Sequence, residues 1–200
     1  MSRGLEPGDA GLAFDLPNAN SDGPERCNLS DVLTDIGCVV VFTCNHCPTS
    51  QAYEDRLISI ARDYPHEKMA LVAISPNDPL AFRKDELGYS AVDDTFDGMK
   101  IRSARKGFPF PYLYDESQEV ARNYRAACTP DFFLYDSSHN LVYRGQYDDS
   151  RPDNGTPTGA DLSAAIDALL GGEAPLENQK NSIGCNIKWK AGSEPDYFNP

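Results

Sequence analysis

The sequence predicts an α/β fold, a central mixed β-sheet flanked by helices, with a short hairpin before it and a tail after it. Three observations carry this reading. Residues 38–43 and 69–74 are continuous apolar runs, the pattern of strands buried on both faces. Between them Tyr53, Leu57, Ile60, Ala61 and Tyr64 recur on one helical face, so the three segments form a βαβ unit. Further on, residues 131–135 and 141–144 are apolar runs joined by polar residues 137–140, an antiparallel hairpin signal.

Each element has its own local reason. The turn residues at 20–24, after the short apolar stretch 14–17, predict an irregular N-terminal hairpin. The strand at 38–43 hands over to a helix beyond Cys47, which Pro65 stops. After the strand at 69–74, Pro76 and Pro79 break the chain, and a helix is expected near 94–106. Prolines at 109 and 111 introduce a short strand at 112–114. Asp115 with Gln118 has the spacing of a capping box that starts a helix through Tyr124. Thr158 with Asp161 opens the last helix, with Leu162, Ile166, Leu169 and Leu170 on one face and Gly171 and Gly172 at its end. Beyond it, Ile187 and Trp189 alternate with Lys188 and Lys190, as in an edge strand with one face packed. The expected organisation is one domain over residues 1–172 and a C-terminal tail, 173–200, packed on or near it.

Composition removes several classes of function. A chain of 200 residues with 40% apolar content can bury a sizeable core. Its formal net charge of −13 repels nucleic-acid phosphates and anionic lipid surfaces, so neither nucleic acid nor membrane is expected as a partner. No apolar run has the length of a signal peptide or a membrane span, and the expectation is a cytoplasmic protein. The six cysteines are too scattered to staple a small secreted domain.

Two of those cysteines, Cys44 and Cys47, form a CxxC where the first buried strand meets its helix. Free amides at a helix start act as roughly half a positive charge, which favours a thiolate over its thiol. Dithiol redox chemistry, peroxide reduction at one thiol and half of a metal site are the three chemistries such a pair serves. A zinc site needs two further ligands, and the sequence has no second CxxC and no paired histidines, so no metal is expected. Acidic residues at 148–155 do not match the spacing of a calcium loop and read as a solvated turn.

The motifs FTCNHCP at 42–48, ACTPDFF at 127–133 and SIGCNIKWK at 182–190, set in this element order, resemble the thioredoxin superfamily. More narrowly they resemble a bacterial peroxiredoxin-like group of the AhpC/TSA and redoxin families. The resemblance spans about residues 5 to 190 and implies a thioredoxin fold. It also implies that Cys44 is the nucleophile, Cys47 the resolving thiol and Pro130, after Thr129, a cis-proline at the substrate edge. The Trp that precedes the motif in thioredoxin is missing, and Asn45 and His46 stand between the cysteines. His46, if protonated, would favour the Cys44 thiolate. Cys128 and Cys185 are candidate additional redox thiols, each with the alternative of a buried structural role, whereas Cys27 and Cys38 read as core or loop residues.

Two redox functions compete. One is a thiol-disulfide oxidoreductase working through Cys44 and Cys47. The other is a thiol peroxidase with antioxidant activity at Cys47, suggested by the Cys47, Pro48, Thr49 run. A non-catalytic binding module is the third reading, and an intact CxxC speaks against it. The expected partners are protein or small-molecule thiols and disulfides, or peroxides, together with a thiol electron donor, and no cofactor is expected.

Overall fold

The structure, a computed structural model, describes residues 5–64, 69–84, 86 and 89–198. Its centre is a five-stranded mixed sheet in the order β5-β4-β3-β7-β8. In chain order a hairpin of β1 (Asp15–Pro17) and β2 (Arg26–Asn28) leads to the short α1 (Leu29–Val32). Then come β3 (Gly37–Phe42), α2 (Pro48–Asp63), β4 (Met69–Ser75), α3 (Phe96–Lys106) and β5 (Tyr112–Tyr114). They are followed by α4 (Glu119–Asn123), β6 (Cys128–Thr129), β7 (Asp131–Asp136), β8 (Leu141–Gly145), α5 (Ala160–Leu170) and β9 (Cys185–Asn186). β3, β4 and β5 run parallel, β7 is antiparallel to β3, and β8 is antiparallel to β7.

Every residue of β3 and β4 is buried, which is why their sequences show no alternation. The sheet separates two apolar layers. On one side Val40, Phe42, Val72, Ile74, Phe133 and Tyr135 meet the hairpin, α4 and the C-terminal residues Ile187 and Trp189. On the other, Val39, Val41, Leu71 and Leu134 meet Tyr53 and Leu57 of α2, Met99 of α3 and Leu162 and Ile166 of α5. The mixed sheet, the flanking helices and the N-terminal hairpin agree with the thioredoxin fold class.

Four local expectations are corrected. Asp115 is not the N-cap residue of α4: the helix begins after Gln118, which is left-handed at φ 63, and the Asp115 carboxylate reaches the first turn from outside it by accepting the Ala121 amide. The last helix begins at Ala160 because the Asp148 carboxylate takes the amides of Thr158 and Gly159 (2.6 and 2.7 Å), turning the chain before the helix can start. Asp148 is therefore a buried, engaged carboxylate, whereas residues 152–155 of the same stretch are exposed and form the solvated turn expected there. In the C-terminal segment the strand pairing falls on Cys185 and Asn186, one step before the alternating stretch, while Ile187 and Trp189 bury their side chains. α1, with a capping box between Asn28 and Asp31, went unpredicted. Pro65 lies outside the described residues.

Candidate active site

β3 ends at Phe42, and five residues carry the chain into α2, whose N-cap is Cys47 and whose first residue is Pro48. Proline suits that position because its missing amide would have no helical partner. Cys44 sits one turn earlier, and the Cys47 amide donates to its Sγ at 3.2 Å. The intervening residues are pinned. The Asn45 amide donates to Asp94 Oδ1 at 2.6 Å, its Nδ2 to the Asp93 carbonyl at 2.5 Å, and its Oδ1 accepts from the Tyr112 hydroxyl at 3.0 Å. Gln51 Nε2 donates to the carbonyls of Asn45 and His46. A turn held at this many points keeps both sulfurs in fixed directions.

Those directions converge on one residue. Thr129 Oγ1 lies 3.3 Å from Cys44 Sγ, and the Thr129 carbonyl oxygen lies 3.0 Å from Cys47 Sγ. The Thr129 to Pro130 peptide is cis. Cys128 is buried beside them, its Sγ 3.6 Å from the Pro130 carbonyl oxygen. β6 pairs antiparallel with β9, placing Cys185 opposite Thr129. Thus Cys44, Cys47, Cys128, Thr129, Pro130 and Cys185 gather at one end of the sheet, while Cys27 and Cys38 are buried on β2 and β3.

The electrostatics differ from the sequence expectation. The hydrogen bond from Cys185, opposed by burial and reinforced by the first-turn amides of Ser50 and Thr49, brings the Cys47 thiol down to about 5. Cys185 is pushed up by the same contact. Burial, and then the Asp94 carboxylate and Cys47, push Cys44 well up, against the stabilising Thr129 hydroxyl and Cys47 amide. These influences act in opposite directions on the two thiols, lowering Cys47 and raising Cys44, while the 3.0 Å approach of Cys47 Sγ to the Thr129 carbonyl oxygen is the contact of a thiol donating its proton. Desolvation also holds the His46 imidazole below its ordinary range. It packs against Phe82 and Tyr89, with ring centroids 4.1 and 5.4 Å away, and its Nε2 has no hydrogen-bond partner among the described residues. Burial of the ring thus works against the protonated form in which His46 was expected to favour the Cys44 thiolate.

Two site residues had escaped the sequence. Asp94 is 1% exposed, takes the Asn45 amide and the Asn77 side chain, and is raised by burial to about 6. Tyr112 is buried and bonded to Asn45. Asp94 precedes the helix-capping Thr95, so its local pattern reads as a helix start. Only the tertiary fold brings it beside the cysteine turn, where its Oδ1 takes the Asn45 amide. Among the described residues no cluster of three or more His, Cys, Asp or Glu is placed to hold a metal, and no helix is long and apolar enough to cross a membrane.

A sequence model described as the AhpC/TSA family matches residues 7–144. No curated protein matches the chain. An uncharacterized conserved protein from Geobacillus kaustophilus is 43% identical, with 94% of this chain and 95% of that one covered and a TM-score of 0.84. Two more distant structures share the fold. The peroxidoxin BcpB from Mycobacterium tuberculosis is 16% identical over 84% of this chain and 97% of its own, with a TM-score of 0.58. A secreted Mycobacterium tuberculosis disulfide oxidoreductase homologous to E. coli DsbE is 15% identical over 78% of this chain and 95% of its own, with a TM-score of 0.55.

Proposed function

The chain belongs to the AhpC/TSA family, and on that premise we propose that it is a thiol-disulfide oxidoreductase whose redox centre is the Cys44 and Cys47 pair. One observation carries this reading: both sulfurs meet Thr129, at 3.3 and 3.0 Å, with the Cys47 amide bridging back to Cys44. Two thiols held this way interchange between a dithiol and a disulfide with little movement of the backbone. In exchange with a thiol or disulfide substrate, Cys44 forms the mixed disulfide and Cys47 resolves it. An ionised resolving thiol attacks without first losing a proton, and the depressed Cys47 supports that role. Asp94, raised to about 6, is suited to accept the proton that Cys44 gives up on attack. Thr129 and Pro130 form the wall against which the sulfurs are aligned.

The same depressed Cys47 favours a second reading, thiol peroxidation at Cys47, because the thiolate is the form that attacks peroxide. Single mutants separate the two. With an oxidised peptide, Cys47→Ser traps a mixed disulfide on Cys44, and Cys44→Ser loses peptide-disulfide turnover, both read by mass spectrometry. Rapid peroxide consumption by Cys44→Ser, with sulfenic acid accumulating on Cys47, would replace the oxidoreductase with the peroxidase.

A further inference from the structure

Cys47 is 0% exposed, so no external thiol meets its sulfur directly. Cys185 is different. It is half-buried, and it lines an open cleft of about 500 Å³ together with Glu86, Tyr89, Lys188 and Trp189. That volume is within the range of small-molecule sites. β9 fixes Cys185 against the buried pair, since its register places Cys185 opposite Thr129, whose carbonyl touches Cys47. The approach is close: a Cβ on Gly184 would lie 2.1 Å from the Thr129 carbonyl oxygen. On the other side the segment is held by the buried Ile187 and Trp189, by the Lys188 amide on Asn77 Oδ1 at 2.9 Å, and by Lys188 Nζ on Glu86 at 2.5 Å. A thiol fixed between a cleft and a buried dithiol has one face toward each.

We propose that Cys185 is the exchange thiol of this protein, closing a disulfide with Cys47 and so carrying electrons between the buried pair and a low-molecular-weight thiol in the cleft. The proposal rests on the dithiol–disulfide reading of Cys44 and Cys47. Starting from the Cys44–Cys47 disulfide, the Cys185 thiolate attacks the Cys47 sulfur. The Cys47–Cys185 bond forms, the Cys44–Cys47 bond breaks, and Cys44 leaves as a thiolate that takes up the proton Cys185 released. The chain gains and loses no electrons in this step. A small thiol then attacks the Cys185 sulfur, giving a mixed disulfide and freeing Cys47. A second small thiol attacks that mixed disulfide, releasing the small-molecule disulfide and restoring Cys185. Two thiols thus deliver two electrons and two protons to the pair. Cys47 is the leaving group when the cleft-side attack occurs, and the first-turn amides of Ser50 and Thr49 stabilise its departing thiolate.

The test oxidises the full chain with limiting oxidised glutathione, quenches with acid, alkylates and maps the linked peptides. The expected map contains both Cys44–Cys47 and Cys47–Cys185 links. In Cys185→Ser only the first link forms, and its reduction by reduced glutathione slows at least about tenfold, because access governs thiol exchange. Fluorescence of Trp189, the chain's one tryptophan, reports whether the segment stays seated in that variant. A wild-type map with Cys44–Cys47 but no Cys47–Cys185 link overturns the exchange role alone, whatever the variant does. A map with no Cys44–Cys47 link in either protein overturns the reading beneath it.

Discussion

A cysteine at a helix N-cap is worth more as a thiolate than one a turn away from it, and here the difference is sharpened by what surrounds each sulfur. Cys47 receives Cys185 and the first-turn amides; Cys44 faces burial and the Asp94 carboxylate. Thiolate absorbance should therefore persist in the wild type down to about pH 5, disappear in Cys47→Ser, and titrate higher in Cys185→Ala, which loses the largest cause of the shift. Loss of the absorbance near about 8.5, the value of a free cysteine, would contradict this assignment. Asp94 makes a second prediction. Its folded pKa is raised from 3.8 to about 6 by burial, so the native state is favoured while Asp94 holds its proton, and that advantage is lost as pH rises through this window. The shift corresponds to about 3 kcal/mol. In urea unfolding, Asp94→Asn should gain about that much on the wild type between about pH 4 and 7, because the amide does not ionise. The CxxC itself was legible from residue types and spacing. The ordering of its two pKa values was not, because Cys185 and Asp94 reach it from far along the chain.

At the scale of elements, the site depends on two very short strands. β6 and β9 pair over two residues each, and the contact closes only because Gly184 has no side chain. Gly184→Ala places a methyl group into the Thr129 carbonyl, and backbone cannot yield there as a flexible side chain would. The variant should lose the β6–β9 pairing, seen as a red shift of Trp189 fluorescence and faster proteolysis within residues 173–190, while the central sheet persists. Unchanged fluorescence and proteolysis would contradict the close packing. The long elements were readable in advance because their burial is written into composition: six consecutive buried residues in β3, one apolar stripe in α2. The starts of α4 and α5 were not, since a left-handed Gln118 and the distant Asp148 set them. β9 was misplaced for the same reason, its partner lying more than fifty residues earlier in β6.

Across the whole molecule, the sheet is covered on one face by α2, α3 and α5, and on the other by the hairpin, α4 and the C-terminal segment. Trp189 is 4% exposed within that second layer and Arg122 lies over its ring, 5.9 Å from the centroid. Truncating a buried tryptophan to alanine costs about 3–5 kcal/mol. At about 2–4 °C per kcal/mol for a chain of this size, Trp189→Ala should lower the melting temperature by roughly 10 °C, measured by calorimetry. A change within a degree or two would mean the segment adds nothing to the core. The same layer carries Cys185 to the cysteine pair, so stability and the proposed redox role share one piece of chain. The most direct test of the central claim is a redox titration of the intact protein in glutathione buffers, with the alkylation state of each cysteine read by mass spectrometry. The account predicts that Cys44 and Cys47 become protected together as a two-electron couple, with a midpoint between about −270 and −120 mV, while Cys27 and Cys38 stay reduced. Cys44 and Cys47 remaining separately alkylatable across the whole range, or Cys47 passing to sulfinic acid without a disulfide, would contradict it.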